Sequence, residues 1–310
     1  MRWIMKKTAG IHHISAIVGN PKETVAFYSE VLGLRLIKKT VNFDDPGTYH
    51  LYFGNEEGAP GTILTFFPWP KAYKGTVGTG QVGRTMFVVA EDALDFWSER
   101  LRSFNIKVEQ KSLFGEETLF FQDSHGLNLA IAARPVSGEN TWLSEGIPEE
   151  KSIKGFAGAA LLSAQPDKTA ELLENHMGFE RIEETENYIR FKTEGTIGNT
   201  IDLKKSESLS GTFGVGTVHH IAFRAKDFSD HLEWQNYLMD NGYPTTEVKD
   251  RQYFKAIYFK EHGDIIMEIA TDTPGFTVDE PLEHLGETLL LPEWLESKRP
   301  LIEAHLPRLS

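Results

Sequence analysis

The sequence predicts an α+β fold in which four βαβββ modules form two open mixed-sheet barrels. Three observations lead there. Four helix-like segments recur along the chain, each is preceded by a short apolar run, and each is followed by two or three strand-like runs. The helices stop at Gly33, Asn105, Gly178 and Gly242, spaced by 72, 73 and 64 residues. Glycine and asparagine are the residues that end helices in a left-handed turn, and a period of this size marks a repeated supersecondary unit.

The helices are "NPKETVAFYSEVLGL", "AEDALDFWSERLRSFNI", "QPDKTAELLENHMGF" and "KDFSDHLEWQNYLMDNGY". The first places Val25, Phe27, Tyr28, Val31 and Leu32 at helical spacing. The first unit then gives strands "LRLIKKTVNF", "YHLYFG" and "GTILTFF", and the second "KVEQKSL", "ETLFFQD" and "LNLAIAA". The third gives "ERIEETE", "YIRFKT" and "NTIDLKK", and the fourth "TTEVKD", "KAIYFKE" and "DIIMEIA". Turn formers such as "GAPG", "DSHG", "TEGT" and "EHGD" separate the last two strands of each set. A unit of this kind leaves an open sheet face that must be covered. Two units together make one curved sheet around a cavity, and four make two. The polar segment "ARPVSGENTWLSEGIPEEKS" reads as the linker, so residues 1–145 hold the first pair of modules and 146–310 the second pair with a C-terminal tail.

Composition excludes several functions. A chain with 40% hydrophobic and 25% charged residues has the make-up of a water-soluble globular protein. It holds no apolar run near the roughly 18 residues of a membrane helix, and "MRWIMKKTAG" is too short and charged for a signal-peptide core. There is no cysteine, which removes disulfides, zinc–thiolate sites and thiol nucleophiles and points to a reducing, cytoplasmic location. The net charge of −13 argues against a nucleic-acid partner. No Gly-rich phosphate loop opens a helix, which argues against a nucleotide cofactor.

Two segments carry the chemistry. "GIHHISAIVGN" opens the first unit and "TVHHIAFRAKD" the fourth, so the same His-His-Ile recurs at His12–Ile14 and His219–Ile221. Alternation along a strand predicts that only one histidine of each pair faces the cavity squarely. His13 precedes Gly33 by 20 residues. The same count back from Asn105 and Gly178 reaches Thr85 and Gly158, neither of which replaces an imidazole. Asp202 is an acid on a last strand with no histidine partner in view, so the second and third units read as a metal-free scaffold.

The repeat and the paired histidines resemble the vicinal oxygen chelate superfamily of glyoxalases, bleomycin-resistance proteins and extradiol dioxygenases, over about residues 10 to 271. Within it, residues 11 to 14, "VNFDDPGTYHLYFGNEEGAPGT", "DRQYFKAIYFKEHGDIIMEIATD" and the tail "LGETLLLPEWLESKRPLIEAHLP" are similar to ring-cleaving dioxygenases of the hydroquinone-cleaving type. The resemblance implies metal ligands His13 and His220, the second members of their pairs, with Glu268 as the carboxylate on a last strand. Two imidazoles and one carboxylate with open positions form the triad used by non-haem Fe(II) oxygenases, and the same ligands accept Mn(II). The cavity is then expected between modules 1 and 4, where these ligands converge.

The resemblance also implies catalytic roles for Arg251, Tyr258, His12 and His219. Tyr258 donates a hydrogen bond to bound oxygen, Arg251 stabilises developing negative charge, and His12 and His219 support the ligands or move protons. Asp44–Gly47 read as a turn, and His50 after it as structural. The partners implied are a small aromatic diol and O2, with homo-oligomers left open. Two other classes remain in view. A glyoxalase-type isomerase or lyase would use a second carboxylate where "GTILTFF" offers Thr65 and Phe66. A non-catalytic binder of aromatic compounds would leave the triad without a task.

Overall fold

Two curved eight-stranded sheets divide the chain, one built from the outermost units and the other from the two inner ones. The structure is a computed structural model and describes residues 6–136, 142–205 and 209–309. Residues 137–141, inside the expected linker, lie outside the described residues.

The first unit comprises β1 (Ile11–Val18), a helix α1 (Pro21–Val25), β2 (Arg35–Asn42), β3 (Asp45–Gly54) and β4 (Ile63–Pro68). The second holds β5 (Gln81–Val89), α2 (Leu94–Ser103), β6 (Glu109–Leu113), β7 (Glu116–Gln122) and β8 (Asn128–Ala133). The third holds β9 (Gly155–Leu162), α3 (Pro166–His176), β10 (Glu180–Glu184), β11 (Tyr188–Lys192) and β12 (Thr200–Lys204). The fourth holds β13 (Thr217–Ala225), α4 (Phe228–Asp240), β14 (Lys249–Asp250), β15 (Phe254–Lys260) and β16 (Ile266–Pro274). All four helix stops take the left-handed conformation, with φ of 70°, 59°, 78° and 85° at Gly33, Asn105, Gly178 and Gly242.

Two elements differ from expectation. The first helix passes from α into π geometry over Ala26–Val31, a widening common near functional sites. The strand expected at "TTEVKD" is reduced to Lys249–Asp250.

The first sheet runs β14-β15-β16-β13-β1-β4-β3-β2 and the second β10-β11-β12-β9-β5-β8-β7-β6. Units one and four therefore build one sheet, and units two and three the other. In each sheet an antiparallel pair sits at the centre, flanked by parallel pairs. All eight residues of β1 are buried, because helices cover one face and the concave interior lies on the other. Trp97 of α2 and Trp234 of α4 are wholly buried, and truncating such a ring costs about 3–5 kcal/mol.

The central pairs carry matched β-bulges. Ile11 pairs with Phe223 and His13 with Ala222, so His12 is an extra residue in β1. Ser15 pairs with His220 and Ala16 with Val218, so His219 is an extra residue in β13. The second sheet repeats this at Gly83 and Ala157. Register then aligns Arg84, paired with Ala160, with His13, paired with Ala222. The counterpart of His13 is thus Arg84, one place before the Thr85 reached by counting from the helix stop.

After β16 the chain runs along the free edge of β2. Leu290 donates its N–H to the Lys39 carbonyl at 3.0 Å, and Arg35 reaches the Leu282 carbonyl at 2.6 Å. Lys38, wholly buried, donates to Asp279 at 2.8 Å and Glu280 at 3.0 Å. An exposed strand edge invites pairing with other chains, and the tail covers this one.

Candidate metal centre

A row of cross-strand neighbours crosses the concave face of the first sheet. Tyr258 pairs with Glu268, Glu268 with Ala222, and Ala222 with His13. His220 sits opposite Ser15, two residues along β1 from His13. The row brings together side chains from both ends of the chain. Nε2 of His13 lies 3.4 Å from Nε2 of His220, and these atoms lie 3.3 Å and 3.0 Å from Glu268 Oε2. Among the described residues this is the one cluster of His and acidic side chains able to hold a metal ion.

The arrangement fits a divalent cation better than a hydrogen-bonded core. Glu268 is wholly buried, yet neither of its carboxylate oxygens receives a directed hydrogen bond. Both imidazoles approach its Oε2 closely but off the hydrogen-bonding direction, and one ligand atom from each of the three residues lies within 4.8 Å of the others. An unsatisfied buried carboxylate costs several kcal/mol, and a cation bound to both imidazoles and the carboxylate removes that cost.

The first histidine of each pair is not turned away, as simple alternation predicts. The bulges bring His12 Nδ1 to 2.9 Å from His13 Nδ1, and His219 Nδ1 to 2.8 Å from His220 Nδ1. With Nδ1 of each inner ring engaged, Nε2 carries the free lone pair at the convergence point. A bulge next to a site re-aims side chains in this way.

Burial sets the charges. It lowers the pKa of His12 well below the usual value, and repulsion from His13 adds to this. Burial, reinforced by His220, pulls His219 down to about 4. Burial alone would raise the Glu268 pKa, but attraction to His13 and His220 overcomes it and holds the carboxyl well below its ordinary range. The Tyr258 hydroxyl is pushed well up by burial and then by Glu268, with Arg251 opposing. Arg251 Nε donates to Tyr258 Oη at 3.2 Å, and its Nη1 lies 3.0 Å from Asp44 on the β2–β3 turn. That ion pair joins the two free ends of the curled sheet.

Beside the cluster lies a cavity of about 170 Å³ lined by His13, His220, Tyr258, Arg251 and His219. An apolar cavity of about 150 Å³ holds one benzene molecule, so this one suits a single aromatic ring. A larger groove of about 650 Å³ lies on the second unit, with Phe27 and Val31 of the first unit at its side. It touches none of the converging side chains.

His50, which the sequence suggested was structural, belongs to the lining with four residues that the sequence did not single out. His50 and Tyr52 face the cavity with Phe67, Trp69 and Phe254. Their signal is the alternation of His50 and Tyr52 along β3, which puts both on one face.

The second sheet fills the corresponding space with ions. Asp202 pairs with Arg190 across β12 and β11, at the register of Glu268 and Tyr258. Arg190 Nε and Nη2 donate to Asp202 at 2.7 and 2.9 Å, and Nη1 donates to Glu116 at 2.6 Å. Glu116 is also held by Arg134 at 2.8 and 2.9 Å. Phe114 lies over the Arg190 guanidinium, 4.1 Å from ring centre to Cζ.

Comparison with known proteins adds to this geometry. The sequence model of the Glyoxalase/Bleomycin resistance protein/Dioxygenase superfamily matches residues 10–131 and 155–279. MhqO of Bacillus subtilis (strain 168), to which ring-cleaving dioxygenase activity is ascribed, is 56% identical over 97% of this chain and 96% of its own. A chlorohydroquinone/hydroquinone 1,2-dioxygenase of Sphingobium indicum is 31% identical over 96% of this chain and 95% of its own. A crystal structure from Bacillus subtilis subsp. subtilis str. 168 superposes with a TM-score of 0.97 at 55% identity, covering 98% of each chain.

Proposed function

Because the chain belongs to the Glyoxalase/Bleomycin resistance protein/Dioxygenase superfamily, we propose that it is an Fe(II)-dependent ring-cleaving dioxygenase acting on hydroquinone-type para-diols. The observation that carries this reading is the convergence of His13, His220 and Glu268 on one point beside a cavity the size of one ring. The hydroquinone activity of the Sphingobium relative supports the substrate class. His13, His220 and Glu268 would hold the metal, and Mn(II) suits the same donors. Bound Fe(II) supplies electron transfer between the diol and O2.

The chain's own residues orient the ring and manage protons. Phe67, Trp69 and Phe254 give the cavity apolar walls that hold the ring and exclude water. His219, neutral at neutral pH, orients His220 through their Nδ1 contact, and the proton that a hydroquinone hydroxyl loses as the diol binds as its anion leaves to solvent. Tyr258 accepts a hydrogen bond from Arg251 and stays protonated, so its own hydroxyl proton is available to donate to a substrate oxygen. Arg251 adds a permanent positive charge where negative charge develops. His12 fixes the orientation of His13 through their Nδ1 contact.

An isomerase or lyase of the glyoxalase type would use a further carboxylate as base. The carboxylate among the residues lining the cavity is Asp44, already paired with Arg251. The test is anaerobic loading with Fe(II), metal analysis, and oxygen uptake with hydroquinone and then catechol. Uptake with hydroquinone is expected, together with loss of both iron and uptake in Glu268→Ala. Full iron loading with no uptake from either diol overturns the reading.

A further inference from the structure

On the concave face of the first sheet, β3 carries polar groups that the chemistry above does not use. Tyr52 Oη lies 2.9 Å from His50 Nδ1, and His50 Nε2 lies 2.9 Å from Thr65 Oγ1. Thr65 Oγ1 lies in turn 2.7 Å from Ser15 Oγ. Tyr52 is 1% exposed and packs edge-on against Tyr253 and Phe276. Burial, then the charges of His13 and Arg251, hold the His50 pKa well below the usual value, so its ring is neutral.

A neutral imidazole has one N–H and one lone pair, and here each ring nitrogen faces one hydroxyl. The Tyr52 hydroxyl has one proton and two lone pairs, and His50 engages only one of these. Both residues line the cavity. The Tyr52 hydroxyl therefore offers the cavity hydrogen-bonding capacity that the protein's own groups leave unused.

Its position matters. Only β4 separates β3 from β1, so at about 4.8 Å per strand the two lie about 10 Å apart. The proposed ligands sit on β1, β13 and β16, so Tyr52 faces the shared cavity from a strand beyond them. A ring that offers one oxygen to the metal site carries the oxygen of its opposite carbon farthest from that site. An oxygen on the adjacent carbon stays beside the first.

Resting on the para-diol reading above, we propose that Tyr52, oriented by His50, hydrogen-bonds the ring oxygen farthest from the metal and so selects para-diols over ortho-diols. Tyr52 touches the substrate, whereas His50 is a positioning residue that acts through it.

Anaerobic binding to the Fe(II)-loaded protein, followed by tryptophan fluorescence, tests this with hydroquinone, phenol and catechol as probes. Phenol lacks the distal oxygen. Tyr52→Phe is expected to weaken hydroquinone binding about tenfold and phenol binding less than about twofold, the scale of one lost hydrogen bond. His50→Gln is expected to give a smaller loss, again confined to hydroquinone. If Tyr52→Phe fails to fold, His50→Gln decides in its place, and a loss confined to hydroquinone there upholds the contact. Equal weakening of hydroquinone and phenol, or no weakening of hydroquinone, overturns the role of Tyr52. Wild-type protein that neither binds hydroquinone nor consumes oxygen with it overturns the para-diol reading, and the proposal falls with it. Wild-type protein that does both while the variants fail to discriminate overturns the Tyr52 proposal alone.

Discussion

Arg190 grips Asp202 through two hydrogen bonds at the cross-strand position where, in the other sheet, Tyr258 faces Glu268. One repeat register thus supports two solutions to a buried carboxylate. In the second sheet a guanidinium neutralises it. In the first sheet two imidazoles approach it, and the proposed cation would complete the site.

The Arg190 pair is wholly internal, so breaking it leaves a charge without compensation. Arg190→Met is expected to destabilise the fold by about 3–5 kcal/mol, because Asp202 stays buried and loses its partner. The double variant Arg190→Met with Asp202→Leu is expected to recover most of that loss. Urea unfolding of the single and double variants gives both values.

The outer histidines act on the metal through the inner ones. His12→Phe and His219→Phe each remove an Nδ1 partner from a proposed ligand. Each is expected to lower metal affinity about 10–100-fold while leaving the three ligands in place. Competition with a chromophoric chelator reads the change directly.

Acid should destabilise the metal-free protein in a defined window. His219 titrates at about 4 when folded, against about 6.5 in the unfolded chain. The unfolded state therefore binds the extra proton, and stability falls as pH drops from about 6.5 to 4. His12, His50 and His220 shift in the same direction. His219 alone accounts for on the order of 3 kcal/mol. Thermal melts of metal-free protein between pH 7 and 4 should show this slope, and His219→Gln should flatten it.

Lys38 ties the tail to the sheet. It is wholly buried, and its ammonium bonds Asp279 and Glu280 while lying 5.1 Å from the centre of the Tyr253 ring. Lys38→Met removes the cation from Asp279 and Glu280, which keep hydrogen bonds from Gln252, Tyr253, Gly286 and Thr288, and is expected to cost about 1–3 kcal/mol. Limited proteolysis should then cut between residues 275 and 309 sooner than in the wild type.

Much of this was legible in the residues. The helix stops stood out because the left-handed turn admits few residue types. His13, His220 and Glu268 stood out because ionisable groups are rare in apolar strands. The bulges were hidden, since no side chain announces an extra residue when it is histidine or alanine rather than glycine. They explain why His12 and His219 sit against the inner histidines where simple alternation would separate them, and why Arg84 rather than Thr85 is the counterpart of His13. His50 read as structural because it follows a turn, and Tyr52 gave no signal because an aromatic residue on a buried strand looks like ordinary packing. Only neighbouring strands reveal that they form a polar chain. The ion pair between Arg190 and Asp202 joins residues 12 apart on separate strands, and nothing in the linear order couples them.

The pairing of the outermost units has a consequence for synthesis. β5 to β12 are consecutive in the chain and complete a whole sheet among themselves, while β1 to β4 meet their partner strand only when β13 has been made, starting at Thr217. The N-terminal strands therefore leave the ribosome long before the edge they must join exists. They wait with β1 open to wrong partners while the middle of the protein folds. Closure of the first sheet is the slow, long-range step, and the proposed metal ligands come together only when translation is nearly finished.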